Sequence, residues 1–196
     1  MAEIVAGIGV PHTPGFPQLV AKEGPQCETA RLFKAVAEHL EALKPDVLVV
    51  FDSDHLNTFF FDNLPVFCIG VTDRTEGPSD NPPAMPHYVV PVSEGLAGHV
   101  RTRGVGDGFD LAMTQEFQVD HSVLVPLHFL TPNMHVPIVP IFINGDYSWK
   151  PPHGDTTAWP VDIEMSDNEL AEHWSMIQTN RDALEREKVA GTWPPK

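Results

Sequence analysis

The sequence predicts an α/β domain, a mostly parallel or mixed central sheet flanked by helices, and three observations predict it. Apolar runs of strand length recur along the chain, at Ile4 to Val10, Val47 to Phe51, Leu64 to Val71 and Val136 to Ile143. Between the first two, Glu28 to Leu43 carries Leu32, Phe33, Val36, Leu40 and Leu43 at helical spacing and stops at Lys44-Pro45. Strand, helix and strand in that order imply a right-handed crossover between parallel strands.

Each of the first two runs empties into a histidine. Ile4 to Val10 leads into Pro11-His12-Thr13-Pro14, and Val47 to Phe51 leads into Asp52-Ser53-Asp54-His55. Open α/β sheets carry their sites at the carboxyl ends of strands, and adjacent strands lie about 5 Å apart. If the two strands are neighbours, His12 and His55 are positioned to share one metal ion. Asp52 and Asp54 either fix a ring tautomer from behind or simply end the strand.

Further along, Phe59, Phe60 and Phe61 cannot all face one side of a regular element, which offers at least one of them to a pocket or interface, against core packing as the commoner fate of a Phe. Residues 72 to 92 are rich in Pro, Gly, Asp and Ser and read as a long loop. Ser93 to Arg103 reads as a short helix capped by Ser93, with Leu96, Ala97 and Val100 inward. Asp110 to Thr114 begins another strand. After it, Asp120 caps a buried helix carrying Val123, Leu124, Val125, Leu127, Phe129 and Leu130, in which Pro126 is tolerated near the first turn or else kinks the axis. His121 then stands at a helix amino terminus, where the positive dipole end disfavours imidazolium. A neutral ring there can donate and accept.

Composition changes near residue 145. All eleven Phe precede residue 143, whereas all four Trp (149, 159, 174 and 193) follow residue 148. We therefore expect a domain over 1–145 and a divergent tail over 146–196. Within the tail, Ser166-Asp167-Asn168-Glu169 is a capping box that should start one amphipathic helix bearing Leu170, Trp174, Ile177 and Leu184.

A chain of 196 residues is long enough for one sizeable core. Its net charge of −15, without any Lys/Arg-rich run, argues against nucleic acid and anionic membrane surfaces as partners. Two cysteines, Cys27 and Cys68, are too few for a disulfide scaffold, and no apolar stretch reaches the roughly 18 residues of a membrane span. The Met-Ala-Glu-Ile start lacks the basic region of a signal peptide, so a cytoplasmic location is expected. Of the ten histidines, His39, His99, His128, His135, His153 and His173 call for no special role.

Five stretches taken in order resemble the class III extradiol ring-cleavage dioxygenases, which include protocatechuate 4,5-dioxygenase beta subunits and dihydroxyphenylpropionate dioxygenases. They are Gly9 to Pro14, Asp54 to Phe60, Pro65 to Val71, Gln118-Val119-Asp120-His121, and Val139 to Gly145. The resemblance covers about residues 4 to 145. It implies a non-haem ferrous ion, Fe(II), held by His12 and His55, a catalytic pair Asp120 and His121 beside substrate and oxygen, and a small aromatic diol opened with O2. It also leaves room for a homo-oligomer or a companion subunit.

The pattern is left at about Gly145. Neither the family's Gly-Gly-Leu-Ser-His segment nor its later Glu ligand is recognisable, and Glu164, Glu169, Glu172, His153 and His173 are the tail's weak substitutes. The alternative is thus a truncated or diverged non-catalytic member of the same fold, acting as a metal-binding or partner-binding domain. Zinc in place of iron is a third reading, because it accepts the same ligands.

Overall fold

The structure is a computed structural model that describes residues 3–60 and 63–143. Phe61, Asn144-Gly145, the four Trp, the capping box, Glu164, Glu169, Glu172, His153 and His173 lie outside the described residues. The elements run α1 (Phe16–Glu23), α2 (Glu28–Leu43), β1 (Leu48–Asp52), β2 (Phe67–Gly70), β3 (Arg74–Gly77), β4 (Tyr88–Pro91), α3 (Glu94–Gly106), β5 (Leu111–Thr114), α4 (His121–Leu130) and β6 (Ile138–Ile143).

The central sheet is mixed, with strand order β1-β6-β2-β5. β1 pairs in parallel with β6 and β2 in parallel with β5, while β2 and β6 run antiparallel. On one face, Phe142, Ile138 and Cys68 meet Val123, Leu124 and Leu127 of α4 together with Phe59 and Val90. On the other, Ile69, Val139 and Ile141 meet Ala97 of α3, with Leu96 and Val100 packed beside it. β6 therefore alternates between two cores, which is why all of Ile138–Phe142 is buried. Pro140 stands opposite Val50 of β1, just beyond the last β2 pair Ile69–Ile141, and Gly70 is close-packed there: a Cβ on it would strike the Phe117 ring and Pro140 Cγ.

Helix α2 spans the residues that its periodicity and the Lys44-Pro45 stop define. Phe33 and Leu40 are its buried residues, and Leu32 faces out. Phe33 stacks on Phe129 of α4 at 4.6 Å between centroids. Helix α4 begins at His121 with Asp120 as N-cap, accepting from Ser122 N at 2.8 Å. Pro126 sits inside it. Ser93 precedes α3 as expected but makes no side-chain cap hydrogen bond.

Three expectations need correction. Ile4 to Val10 is not a strand: it is irregular and exposed, Ile4 at 92%. A strand is made by a partner, and Gly7 and Gly9 add backbone entropy to be lost on pairing. Consequently β1 neighbours β6, and the strand-helix-strand crossover at the amino terminus does not form. Second, residues 72 to 92 hold the antiparallel β3–β4 hairpin. Its Pro-rich connection hid two strands of four residues each. Third, α1 went unrecognised, although Gly15, Pro17 at the first turn and Gly24 bracket it.

Among the described residues no helix is long and apolar enough to cross a membrane. Both cysteines are free thiols. Burial pushes the Cys68 thiol up to about 12, and the residue is 1% exposed. A thiol reagent at pH 8 should therefore modify Cys27 and leave Cys68 unmodified until the fold is opened by denaturant. Mass spectrometry of the alkylated protein checks this; rapid double labelling of the native chain would contradict the packing described.

Candidate metal and catalytic site

The carboxyl end of β1 is where the chain changes from apolar to polar, and three separate segments meet there. His55 follows β1 by a short turn, His12 precedes α1, and His121 is the first residue of α4. One ring nitrogen from each of His12, His55 and His121 lies within 4.8 Å of the others. Ring centroids are 5.4 Å apart for His12 and His55, 4.7 Å for His55 and His121, and 5.8 Å for His12 and His121. Sequence reasoning paired His12 with His55 and kept His121 as a neighbour; the structure brings all three together.

Carboxylates then orient two of the rings. Asp120 Oδ2 lies 3.1 Å from His55 Nδ1, and Asp80 Oδ2 lies 2.5 Å from His121 Nδ1. A carboxylate only accepts, so each neutral ring carries its proton on Nδ1 and presents Nε2 as a lone pair. Histidines that bind metals are commonly held in this way. Nitrogen donors at this spacing suit a borderline divalent transition metal, and among the described residues no carboxylate belongs to the set.

Of the two roles open to Asp52 and Asp54, neither residue holds the His55 ring, whereas Asp52 does end β1. Asp54 accepts from the backbone N–H groups of Asn57, Thr58 and Phe59, which shapes the turn carrying His55. Asp52 accepts from Ser122 Oγ at 2.7 Å, and the same hydroxyl reaches Asp120. Local sequence offered these two aspartates, one and three residues from His55, as possible partners of its ring. The strand points them elsewhere, and Asp120, 65 residues away, does so instead.

Electrostatics follow from burial and pairing. Burial, aided by the neighbouring Asp120 carboxylate and opposed by the Ser122 hydrogen bond, pushes the Asp52 carboxyl up to about 7. Burial likewise raises Asp54. For Asp120 burial acts upward too, but the hydrogen bonds from His55 and Ser122 outweigh it and hold the carboxyl below the usual range. His55 is raised by its hydrogen bond to Asp120, whereas His12 is lowered by burial and by the other two rings.

The Asp52 shift predicts a pH dependence. In the unfolded chain this carboxyl ionises near 3.8 and in the folded one near 7. Its folded value is raised, so its contribution is full below pH 3.8 and is lost as pH rises to about 7. Asp52→Asn keeps an acceptor for Ser122 without the buried charge. At pH 8 the metal-free variant should be more stable than the parent by up to about 4 kcal/mol, and below pH 4 the gap should close. Urea melts at both pH values measure it, and equal midpoints at pH 8 would refute it.

Asp80 and Ser122 are site residues that sequence reasoning missed. Asp80 lies in a loop 41 residues before His121, and no local spacing connects them. Ser122 follows the Asp120-His121 pair directly, a position from which a hydroxyl at the first turn of α4 can reach the end of β1.

Comparison with known proteins gives the site a family. The family described as "Catalytic LigB subunit of aromatic ring-opening dioxygenase" matches residues 6–155. Over 134 residues the chain is 32% identical to a 2,3-dihydroxyphenylpropionate/2,3-dihydroxicinnamic acid 1,2-dioxygenase 2 of Pseudomonas putida, covering 68% of this chain and 41% of the relative. A 1,2-dioxygenase of the same name from Escherichia coli (strain 55989 / EAEC) is 37% identical over 119 residues, 60% of this chain and 37% of the relative. Another from Klebsiella pneumoniae (strain 342) is 37% identical over 107 residues, 54% of this chain and 33% of the relative. The chain spans less than half the length of these curated relatives. With the family match running over most of its residues, this chain belongs to the LigB family, the class III extradiol dioxygenases.

Proposed function

We propose that the chain acts as an Fe(II)-dependent extradiol dioxygenase that opens the ring of a small aromatic vicinal diol with O2. The observation that supports the reading most is the convergence of three imidazoles from three segments, two of them backed by carboxylates. His12 and His55 would hold a ferrous ion. When bound, that ion supplies open coordination positions for a diol and dioxygen and a path for electron density from the ring to oxygen.

The remaining steps belong to the protein. Asp120 fixes His55 so that Nε2 faces the site. His121, with Nδ1 turned to Asp80, offers Nε2 as an acceptor, within reach of a diol held beside His12 and His55. A hydroxyl proton of the diol passes to that nitrogen, and the imidazolium so formed can later return it. Sequence reasoning expected a ring that both donates and accepts; with Nδ1 donating to Asp80, Nε2 is left to accept. A reducing cytoplasm suits both the ferrous state and the two free thiols.

The relatives' names point to 2,3-dihydroxyphenylpropionate as the first diol to try. The full chain reconstituted with ferrous iron under air should consume oxygen and yield a yellow ring-opened product from this compound or from catechol. A His12→Ala control should do neither. An iron-loaded wild-type chain that leaves both diols intact would overturn the proposal. A second reading rests on the three-imidazole set, which also suits zinc. Metal analysis of protein purified without added metal or chelator decides between the two.

A further inference from the structure

Asp80 reaches His121 twice. Its Oδ1 accepts from the His121 backbone N–H at 3.1 Å, and its Oδ2 accepts from ring Nδ1 at 2.5 Å. One carboxylate thus satisfies an unpaired amide at the first turn of α4 and grips the side chain of the same residue. Rotation of the imidazole about its bond to Cβ would break the second contact while the first held the carboxylate in place.

The aspartate is itself held. Ser79 N donates to Val119 O at 3.1 Å, and Asn57 Nδ2 donates to Ser79 Oγ, so the residue before Asp80 is tied both to the segment leading into α4 and to the turn after His55. Directly after Asp80 the chain turns through Asn81, whose φ of 49° is a left-handed conformation that Asn tolerates. The loop therefore delivers a carboxylate to one place, and that place is the outer nitrogen of His121.

The pairing has a double within the site. Asp120 meets His55 Nδ1 as Asp80 meets His121 Nδ1, and the two rings lie 4.7 Å apart and only 21° from parallel. Each carboxylate holds Nδ1 of its ring, and a ring nitrogen of each of the two lies within 4.8 Å of one on His12.

We infer that Asp80 is the positioning residue for His121, holding its ring in the Nδ1–H tautomer so that the Nε2 lone pair faces the site. Free imidazole side chains in water favour the opposite, Nε2–H, form. Without Asp80 the ring would turn a donor rather than an acceptor toward the diol hydroxyl. This role rests on the ring-opening reading for its catalytic meaning, but the tautomer can be observed in the metal-free protein.

The test is long-range 1H–15N correlation of ring nitrogens in the full chain labelled with 15N-histidine, with the His121 signals identified by their loss in His121→Gln. The parent should show Nδ1–H at His121. In Asp80→Ala, and in Asp80→Ser should the first fold poorly, the ratio of Nε2–H to Nδ1–H should rise about ten- to a hundredfold. Asp80→Asn, whose amide oxygen still accepts, should restore the parent pattern. In the iron-loaded chain, Asp80→Ala should lower kcat about 10- to 100-fold with little change in KM. An Nδ1–H pattern that persists in both the Ala and Ser variants overturns the inference. Absence of oxygen uptake from the parent, with the tautomer still following Asp80, would instead remove the ring-opening reading and leave the role of Asp80 standing.

Discussion

Asp120→Ala should cost the metal-free protein about 4 kcal/mol and lower its affinity for a divalent metal 10- to 100-fold. The side chain has two separate duties. Its Oδ1 caps α4 by accepting from Ser122 N at 2.8 Å, and a cap of this kind contributes about 1 kcal/mol. Its Oδ2 accepts from partly exposed His55, and a hydrogen bond to a charged group contributes about 1.5–3 kcal/mol, the lower end where one partner meets solvent. Truncation also strands the Ser122 hydroxyl between Asp52 and an empty space.

The two duties separate in a second variant. Asp120→Asn retains an oxygen for the cap but no longer carries the charge that holds His55, so most of the stability should return while metal affinity stays reduced. Because pairing holds the Asp120 carboxyl below its usual range, its contribution is present above pH 3.8 and is lost as pH falls through its folded value. Calorimetric titration with zinc, beside urea melts, reads both quantities. Parent-like metal affinity in Asp120→Ala would mean that His55 needs no partner.

Gly77→Ala should be the most damaging methyl group that can be added to the described fold. A Cβ at Gly77 would stand 2.0 Å from the Val119 carbonyl oxygen and 3.0 Å from Leu124 Cδ1. The first of these is backbone and cannot rotate away. It is pinned on both sides, since Val119 N donates to Glu76 O at 3.0 Å and Val119 O accepts from Ser79 N at 3.1 Å.

Relief requires parting β3 from the segment that leads into α4. Overpacking commonly costs 1–3 kcal/mol; with an immovable neighbour we expect at least about 3 kcal/mol, or roughly a 10 °C fall in Tm for a chain of this size. Ser79 and Asp80 follow Gly77 closely, so the same shift should loosen His121 and reduce oxygen uptake. A Tm within about 2 °C of the parent would show that the hairpin and the approach to α4 are not in contact.

How far the residues alone could carry these conclusions differs from element to element. Helix α2 was legible to its last residue because its apolar period and its Lys44-Pro45 stop are both local. The same holds for the start of α4, since an aspartate that caps a helix acts on the next two residues. β1, β2 and β6 announced themselves as apolar runs, and β5 was read from Asp110 to Thr114. Ile4 to Val10 had the same apolar character and formed no strand, because pairing is a property of two segments and only one of them was in view.

By itself, then, the sequence determined the α/β class and the four strands of the mixed sheet, since each depends on hydrophobic period or on neighbours a few positions away. Only tertiary structure decided that β6 lies beside β1, that His121 joins His12 and His55, and which carboxylate serves which ring. Asp120 reaches His55 across 65 residues and Asp80 reaches His121 across 41, while Asp52 and Asp54, much closer in the chain, turn to Ser122 and to backbone amides. A hydrogen bond is set by distance and direction in space, and at such separations those are fixed by how helices and strands pack.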